Sequence, residues 1–117
     1  MKRDQDYLRE LLFEFEAQPD WLIVAFNAMN ASPEQRQRLY HVQLLGDAGL
    51  VTEVGRSTCR LTNSGHDYIE AIRDEGVWSK TKAAVAETGG SATLEIVKSL
   101  AMGFLKKKIE KHTGITM

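Results

Sequence analysis

The sequence predicts an α+β fold, mainly α: a winged helix in the order helix, short strand, helix, two-stranded wing, with a C-terminal helical extension. Three observations carry this prediction. A helical stripe ends on Ala48-Gly49-Leu50-Val51, a short hairpin turns at Gly55-Arg56-Ser57, and Leu61-Thr62-x-x-Gly65 opens an amphipathic helix directly after the hairpin.

Taken in order, Asp4 is a candidate N-cap with Asp6 favourable in the first turn. Tyr7, Leu8, Leu11, Leu12 and Phe15 then repeat at helical spacing, and Gln18-Pro19-Asp20 stops the helix. The apolar run Trp21-Leu22-Ile23-Val24-Ala25-Phe26 is rich in strand formers and short, which favours a buried strand. Ser32-Pro33-Glu34-Gln35 is a helix start with a Ser N-cap, Pro at the first helical position and Gln closing a capping box. Leu39, Val42, Leu45 and Ala48 supply that helix's core stripe, and Gly49 stops it. Val51 to Val54 and Thr58 to Leu61 form the hairpin.

At the exit from the hairpin, the Thr62 hydroxyl caps the next helix and Gly65 lets the helix backbone approach the hairpin closely. Tyr68, Ile69 and Ile72 face inward, a bend or break falls near Gly76, and Val77, Trp78, Thr81 and Val85 resume the pattern. Gly89-Gly90 is a break, Ser91 or Thr93 caps a last helix reaching about Lys111, and the tail frays. The winged-helix domain accordingly covers 1–88, and the helix of 91–112 extends the same domain as an oligomerisation element.

Composition narrows the function. With 117 residues, 43% hydrophobic and 26% charged, the chain suits one soluble globular domain. Its start, MKRDQDYLRE, lacks the apolar stretch of a signal peptide, and no apolar run approaches the roughly 20 residues of a membrane span. Cys59 is the lone cysteine, so no internal disulfide forms, in keeping with a reducing cytoplasm. The net charge of −1 is unevenly spread: residues 1–30 sum to −3, 31–60 to +1, 61–90 to −2 and 91–117 to +3. A globally basic nucleic-acid binder is excluded, whereas local basic patches are not.

The stretches MKRDQDYLRELL, Tyr40-His41-Val42 to Ala48-Gly49-Leu50, and RLTNSGHDYIEAIRDEGVWSKTK, continued through Gly89-Gly90-Ser91, Leu94-Glu95-Ile96 and the lysine-rich end, cover nearly the whole chain. They resemble domain of unknown function twenty-five-thirteen, a family of small bacterial and prophage proteins. The Arg60 to Trp78 block is the specific part. The resemblance implies a winged-helix-like fold and frequent residence on mobile elements, and it carries no activity. The hairpin loop here, Gly55-Arg56-Ser57, is short for that pattern.

Catalysis is not expected. His66 and Asp67 are neighbours, and i,i+1 residues on a helix do not face each other. His41 and His112 stand alone, there is no HExxH, CxxC or glycine-rich phosphate loop, and Cys59 reads as a small core residue. No metal or cofactor is implied.

Duplex DNA is the partner that the fold suggests. The face opposite Leu39, Val42 and Leu45 carries Arg36, Gln37, Tyr40, Gln43 and Asp47. Arg and Gln match guanine and adenine edges, and Arg56 at the wing tip meets phosphate. Asp47 opposes this reading, as does the weakly defined helix before Ser32, which a helix-turn-helix requires.

The last helix points instead to self-association. Its apolar residues, among them Val97, Leu100, Phe104 and Leu105, occupy more than half its circumference, wider than one packing stripe. Lys106-Lys107-Lys108 and Lys111 read as a solubilising helix end favoured by the macrodipole. Two functions remain open: a cytoplasmic, homodimeric DNA-binding regulator of prophage or mobile-element origin, and a protein-interaction module of a phage, defence or toxin–antitoxin locus that does not touch DNA.

Overall fold

Residues 1–24, 31–87, 89 and 93–116 are described in a computed structural model. The fold is α+β and mainly helical: α1 (Gln5–Glu16), β1 (Ile23–Val24), α2 (Pro33–Asp47), β2 (Val51–Gly55), β3 (Thr58–Leu61), α3 (Asn63–Arg73), α4 (Glu75–Glu87) and α5 (Leu94–Thr113). The chain divides into two compact units, Met1–Asp67 and Tyr68–Met117. The division falls within α3, upstream of the 88–91 stretch at which the sequence sets the last helix apart.

In the first unit, α1 starts where the Asp4 carboxylate accepts the Tyr7 N–H at 3.1 Å, and it buries Leu8, Leu11, Leu12 and Phe15. The capping box of α2 is complete. Gln35 N–H donates to Ser32 Oγ at 3.2 Å, and Ser32 N–H donates to Gln35 Oε1 at 2.9 Å. The buried side of α2 is His41, Val42 and Leu45; Leu39 and Ala48, expected in the stripe, are only half-buried. The reason is α1: its packing on α2 draws in the face of His41 and Leu45, one i,i+4 row, and rotates Leu39 toward the edge.

The sheet is antiparallel in the order β1-β3-β2, with Ile23 opposite Cys59 and Val51 opposite Leu61. β1 begins at Ile23, later than the apolar run predicts, and Trp21 and Leu22 are not part of it. Ile23 faces the core and Val24, the next residue along the strand, is 76% exposed, because successive strand residues point to opposite faces; Trp21, 64% exposed, precedes β1 and lies in a bend. Ala25 and Phe26 of that run lie outside the described residues. A register shift between Glu53 and Gly55 bends β2 into the turn, where Ser57 takes a positive φ of 58°.

The junction from β3 into α3 is the tightest backbone contact of this unit. Thr62 N–H donates to Leu50 O at 3.0 Å, its hydroxyl donates to Gly49 O at 2.6 Å, and the same oxygen accepts the Gly65 N–H at 2.9 Å. Thr62 therefore caps α3 and ties it to the end of α2. Gly65 sits so close to that chain that a Cβ there would lie 2.1 Å from Leu50 O.

The second unit holds the rest of α3, α4 and α5, with α4 and α5 packed on each other. Its buried residues include Tyr68, Ile69, Ile72, Val77, Trp78, Leu94, Val97 and Ala101. The helical break expected near Gly76 falls at Asp74. The Asp74 carboxylate accepts the Val77 N–H at 2.9 Å and so caps α4, leaving Gly76 inside the first turn. Thr93 caps α5 by accepting the Ile96 N–H at 3.2 Å. The helix runs past Lys111 to Thr113, where Gly114 supplies the left-handed C-cap at φ 75°. The alternative cap, Ser91, and Gly90 lie outside the described residues.

Two substitutions test this packing by urea denaturation. Gly to Ala within a helix ordinarily stabilises by about 1 kcal/mol; Gly65→Ala is expected to destabilise instead, because the new methyl collides with the Leu50 carbonyl. Thr62→Val keeps the shape but removes the hydroxyl from both hydrogen bonds, at an expected cost of about 1–3 kcal/mol. A stabilising Gly65→Ala would refute the close approach.

Candidate functional site

The outer face of α2 and the β2–β3 hairpin that follows it hold the residues the sequence singles out for recognition. Several contacts make α2 a rigid platform. Arg38 pairs with Glu14 of α1 at 2.6 Å, and its guanidinium lies 5.6 Å from the centre of the Phe15 ring. His41 is fully buried between α1 and α2. The Asp4 N–H donates to His41 Nε2 at 3.0 Å, so the ring hydrogen sits on Nδ1, which donates to Gln37 O at 2.8 Å. The Tyr7 and Tyr40 rings pack on His41 at 4.6 and 5.4 Å between centroids.

On this platform the five expected contact residues are not equivalent. Arg36 and Gln43 are exposed, two helical turns apart on one face, and Arg56 is exposed at the hairpin tip. Tyr40 and Gln37 are half-buried; Tyr40 turns its ring edge to His41 and Gln37 gives its carbonyl to the same imidazole. Between α2 and the hairpin lies an open groove of about 510 Å³ lined by Leu39, Gln43, Asp47, Glu53 and Ser57, with Cys59 at its base. Asp47 and Glu53 give this groove acidic walls, unsuited to phosphate. Burial, and then the Glu53 charge, push the Cys59 thiol up, with Arg38 opposing, so the thiolate is disfavoured.

The second unit carries the residues expected at an oligomer interface. Val97 is 1% exposed and is enclosed within the protomer; Leu100, Phe104 and Leu105 are half-buried. At the α3–α4 junction Asp74 bonds to Lys108 Nζ. That bond, foremost, and the Val77 N–H hold the Asp74 carboxyl below its ordinary range. The sequence gives no sign of this pair, nor of the Asp4–His41 bond, because each joins residues more than thirty positions apart. Among the described residues no cluster of three or more His, Cys, Asp or Glu could hold a metal ion, and no helix is long and apolar enough to cross a membrane.

The family model described as "Hypothetical protein (DUF2513)" matches residues 2–91, and the chain belongs to this family. An uncharacterized protein of Haemophilus influenzae is 25% identical over 121 residues, covering 93% of this chain and 99% of its own. No solved structure matches the chain.

The Asp74–Lys108 pair predicts an acid-side dependence. A carboxyl whose folded pKa is depressed stabilises the fold above its unfolded value and loses that contribution as pH falls through the folded one. Stability measured from neutrality downward past the ordinary value of 3.8 should therefore decline in wild type. It should decline less steeply in Asp74→Asn, whose amide oxygen still caps α4. Identical curves for the two proteins would remove the pair from the stability balance.

Proposed function

We propose that this DUF2513 protein is a cytoplasmic winged-helix protein that binds duplex DNA, with α2 as the recognition helix and the β2–β3 hairpin as the wing. Supporting the fold reading, the strand that follows α1 lies beside β3, and α2 runs directly into the hairpin. The observation that carries the function is the joint exposure of Arg36 and Gln43 on one face of an immobilised α2, with Arg56 exposed on the hairpin beyond it. Two turns of helix separate Arg36 and Gln43 by about 10 Å, a spacing suited to separate base pairs in a major groove.

The acidic walls of the neighbouring groove, Asp47 and Glu53, stand beside Gln43, which lines the same groove, so phosphate contact is left to Arg36 and to Arg56 at the hairpin tip. They also favour the second reading, in which the same groove receives a basic segment of a protein partner and DNA is not bound. Regulation of a prophage or mobile element is the role proposed in the first case, and an accessory role at a phage, defence or toxin–antitoxin locus in the second. Self-association through the half-buried Leu100 and Leu105 of α5 is proposed with either, since a two-fold dimer is the commonest arrangement.

Fluorescence anisotropy on genomic duplexes tests the choice. Arg36→Ala and Gln43→Ala should each weaken binding to the preferred site by about 1–3 kcal/mol. Arg56→Ala should weaken binding to all sequences alike and lower the salt slope by about 1. Absence of binding at low salt, about 50 mM, would leave the protein-interaction reading. Sedimentation tests assembly: wild type should be dimeric and Leu100→Glu monomeric, and a wild type already monomeric at micromolar concentration would overturn the dimer.

A further inference from the structure

On the second unit, α4 and α5 bound an open groove of about 720 Å³. Its lining is lopsided in charge. Lys80 of α4 and Lys107, Lys108 and Lys111 of α5 converge on it, with Asp74 the one carboxylate among its described lining residues. This occurs on a chain whose net charge is −1.

Asp74 does not balance the cluster, because its charge is engaged by Lys108 and by the capped N-terminus of α4. The macrodipole of α5 accounts for Lys111 and His112, the basic residues of its last turn. It does not account for Lys107, which lies earlier in the helix, nor for Lys80, which comes from the interior of another helix. Converging like charges raise the energy of the folded state unless an anion relieves them.

Lys107 and Lys111 are one helical turn apart, about 6 Å along the axis. The phosphates of one DNA strand advance by about 3.4 Å each along the duplex axis, so the pair falls within the span of two phosphate steps, and Lys80 approaches the same groove from its other wall. Lysine is a point charge on a flexible stem, suited to holding backbone phosphates and not to reading bases. Phe104 gives the groove an apolar lining along which the lysine stems can lie.

We propose that the α4–α5 groove is a second nucleic-acid contact, in which Lys80, Lys107 and Lys111 hold backbone phosphates of duplex DNA irrespective of sequence. This rests on the reading of the chain as a DNA-binding protein and adds to it a contact outside α2 and the hairpin.

The test is a salt titration of the full chain against two labelled duplexes of unrelated sequence. Lys80→Ala/Lys107→Ala/Lys111→Ala should weaken binding to both duplexes by the same factor and lower the log–log salt slope by about 3, one for each phosphate no longer neutralised. The corresponding triple Lys→Arg protein should retain both affinity and slope. If circular dichroism shows the alanine protein unfolded, Lys107→Gln/Lys111→Gln should lower the slope by about 2. An unchanged slope in the folded variants, with Arg36→Ala still impaired, would overturn the groove and leave recognition by α2 intact. A lowered slope with Arg36→Ala unimpaired would support the groove and overturn α2. Failure of wild type to bind either duplex would overturn both.

Discussion

Where β3 turns into α3, the backbone of the new helix presses against the carbonyl of Leu50, and the first unit is arranged around that contact. A hydrogen is the largest group position 65 admits. Thr62 closes the junction from the other side, offering its N–H to Leu50 O and its hydroxyl to Gly49 O while capping α3. One residue thus satisfies backbone groups at the end of α2, at the root of the hairpin and at the start of α3. Groups left unpaired at such a place would each cost roughly 1–3 kcal/mol. The angle at which the hairpin leaves α2 follows from this closure, and with it the position of Arg56 relative to Arg36.

The other end of α2 is governed by His41. Its two nitrogens join the first residues of α1 to a carbonyl of α2, and Arg38 repeats the link through Glu14. Polar side chains thereby share the inner face of α2 with the aliphatic Val42 and Leu45. The outer face is left with Arg36 and Gln43 exposed and no apolar patch to cover. In the second unit charge is handled differently: one lysine of the α5 cluster is tied to Asp74, and the others remain around an open groove.

Local signals were the legible ones. Ser32-Pro33-Gln35, Asp4 and Thr62 announce helix starts because a cap is a contact between residues three apart. Gly65 announces a close approach because only glycine tolerates one. Along α2 the aliphatic spacing placed Leu39 in the core, where the structure puts His41, because hydropathy does not register a histidine whose two nitrogens are both hydrogen-bonded. Trp21 misled because an apolar run is read as one buried strand, whereas β1 begins only at Ile23 and Trp21 lies in the bend before it. The pairing of Lys80 with Lys107 across a groove, and of Asp74 with Lys108, depends on how two helices pack and leaves no trace in either helix alone. The outward face of α2 needed only its 3.6-residue period, yet the demotion of Tyr40 and Gln37 came from their contacts with His41.

The hairpin is closed at its root and loose at its tip. Val51 lies opposite Leu61, and Thr62 bonds to Leu50, whereas the far end beyond the Glu53–Gly55 register shift consists of exposed residues. Residues can therefore be inserted between Gly55 and Thr58 without disturbing any contact that orients α2, and doubling such a loop costs only about 0.6 kcal/mol in closure entropy. Loop length becomes a nearly neutral variable while the scaffold is held fixed by Thr62 and Gly65. The reach of the hairpin tip is thus set by insertion and deletion alone, independently of the scaffold beneath it.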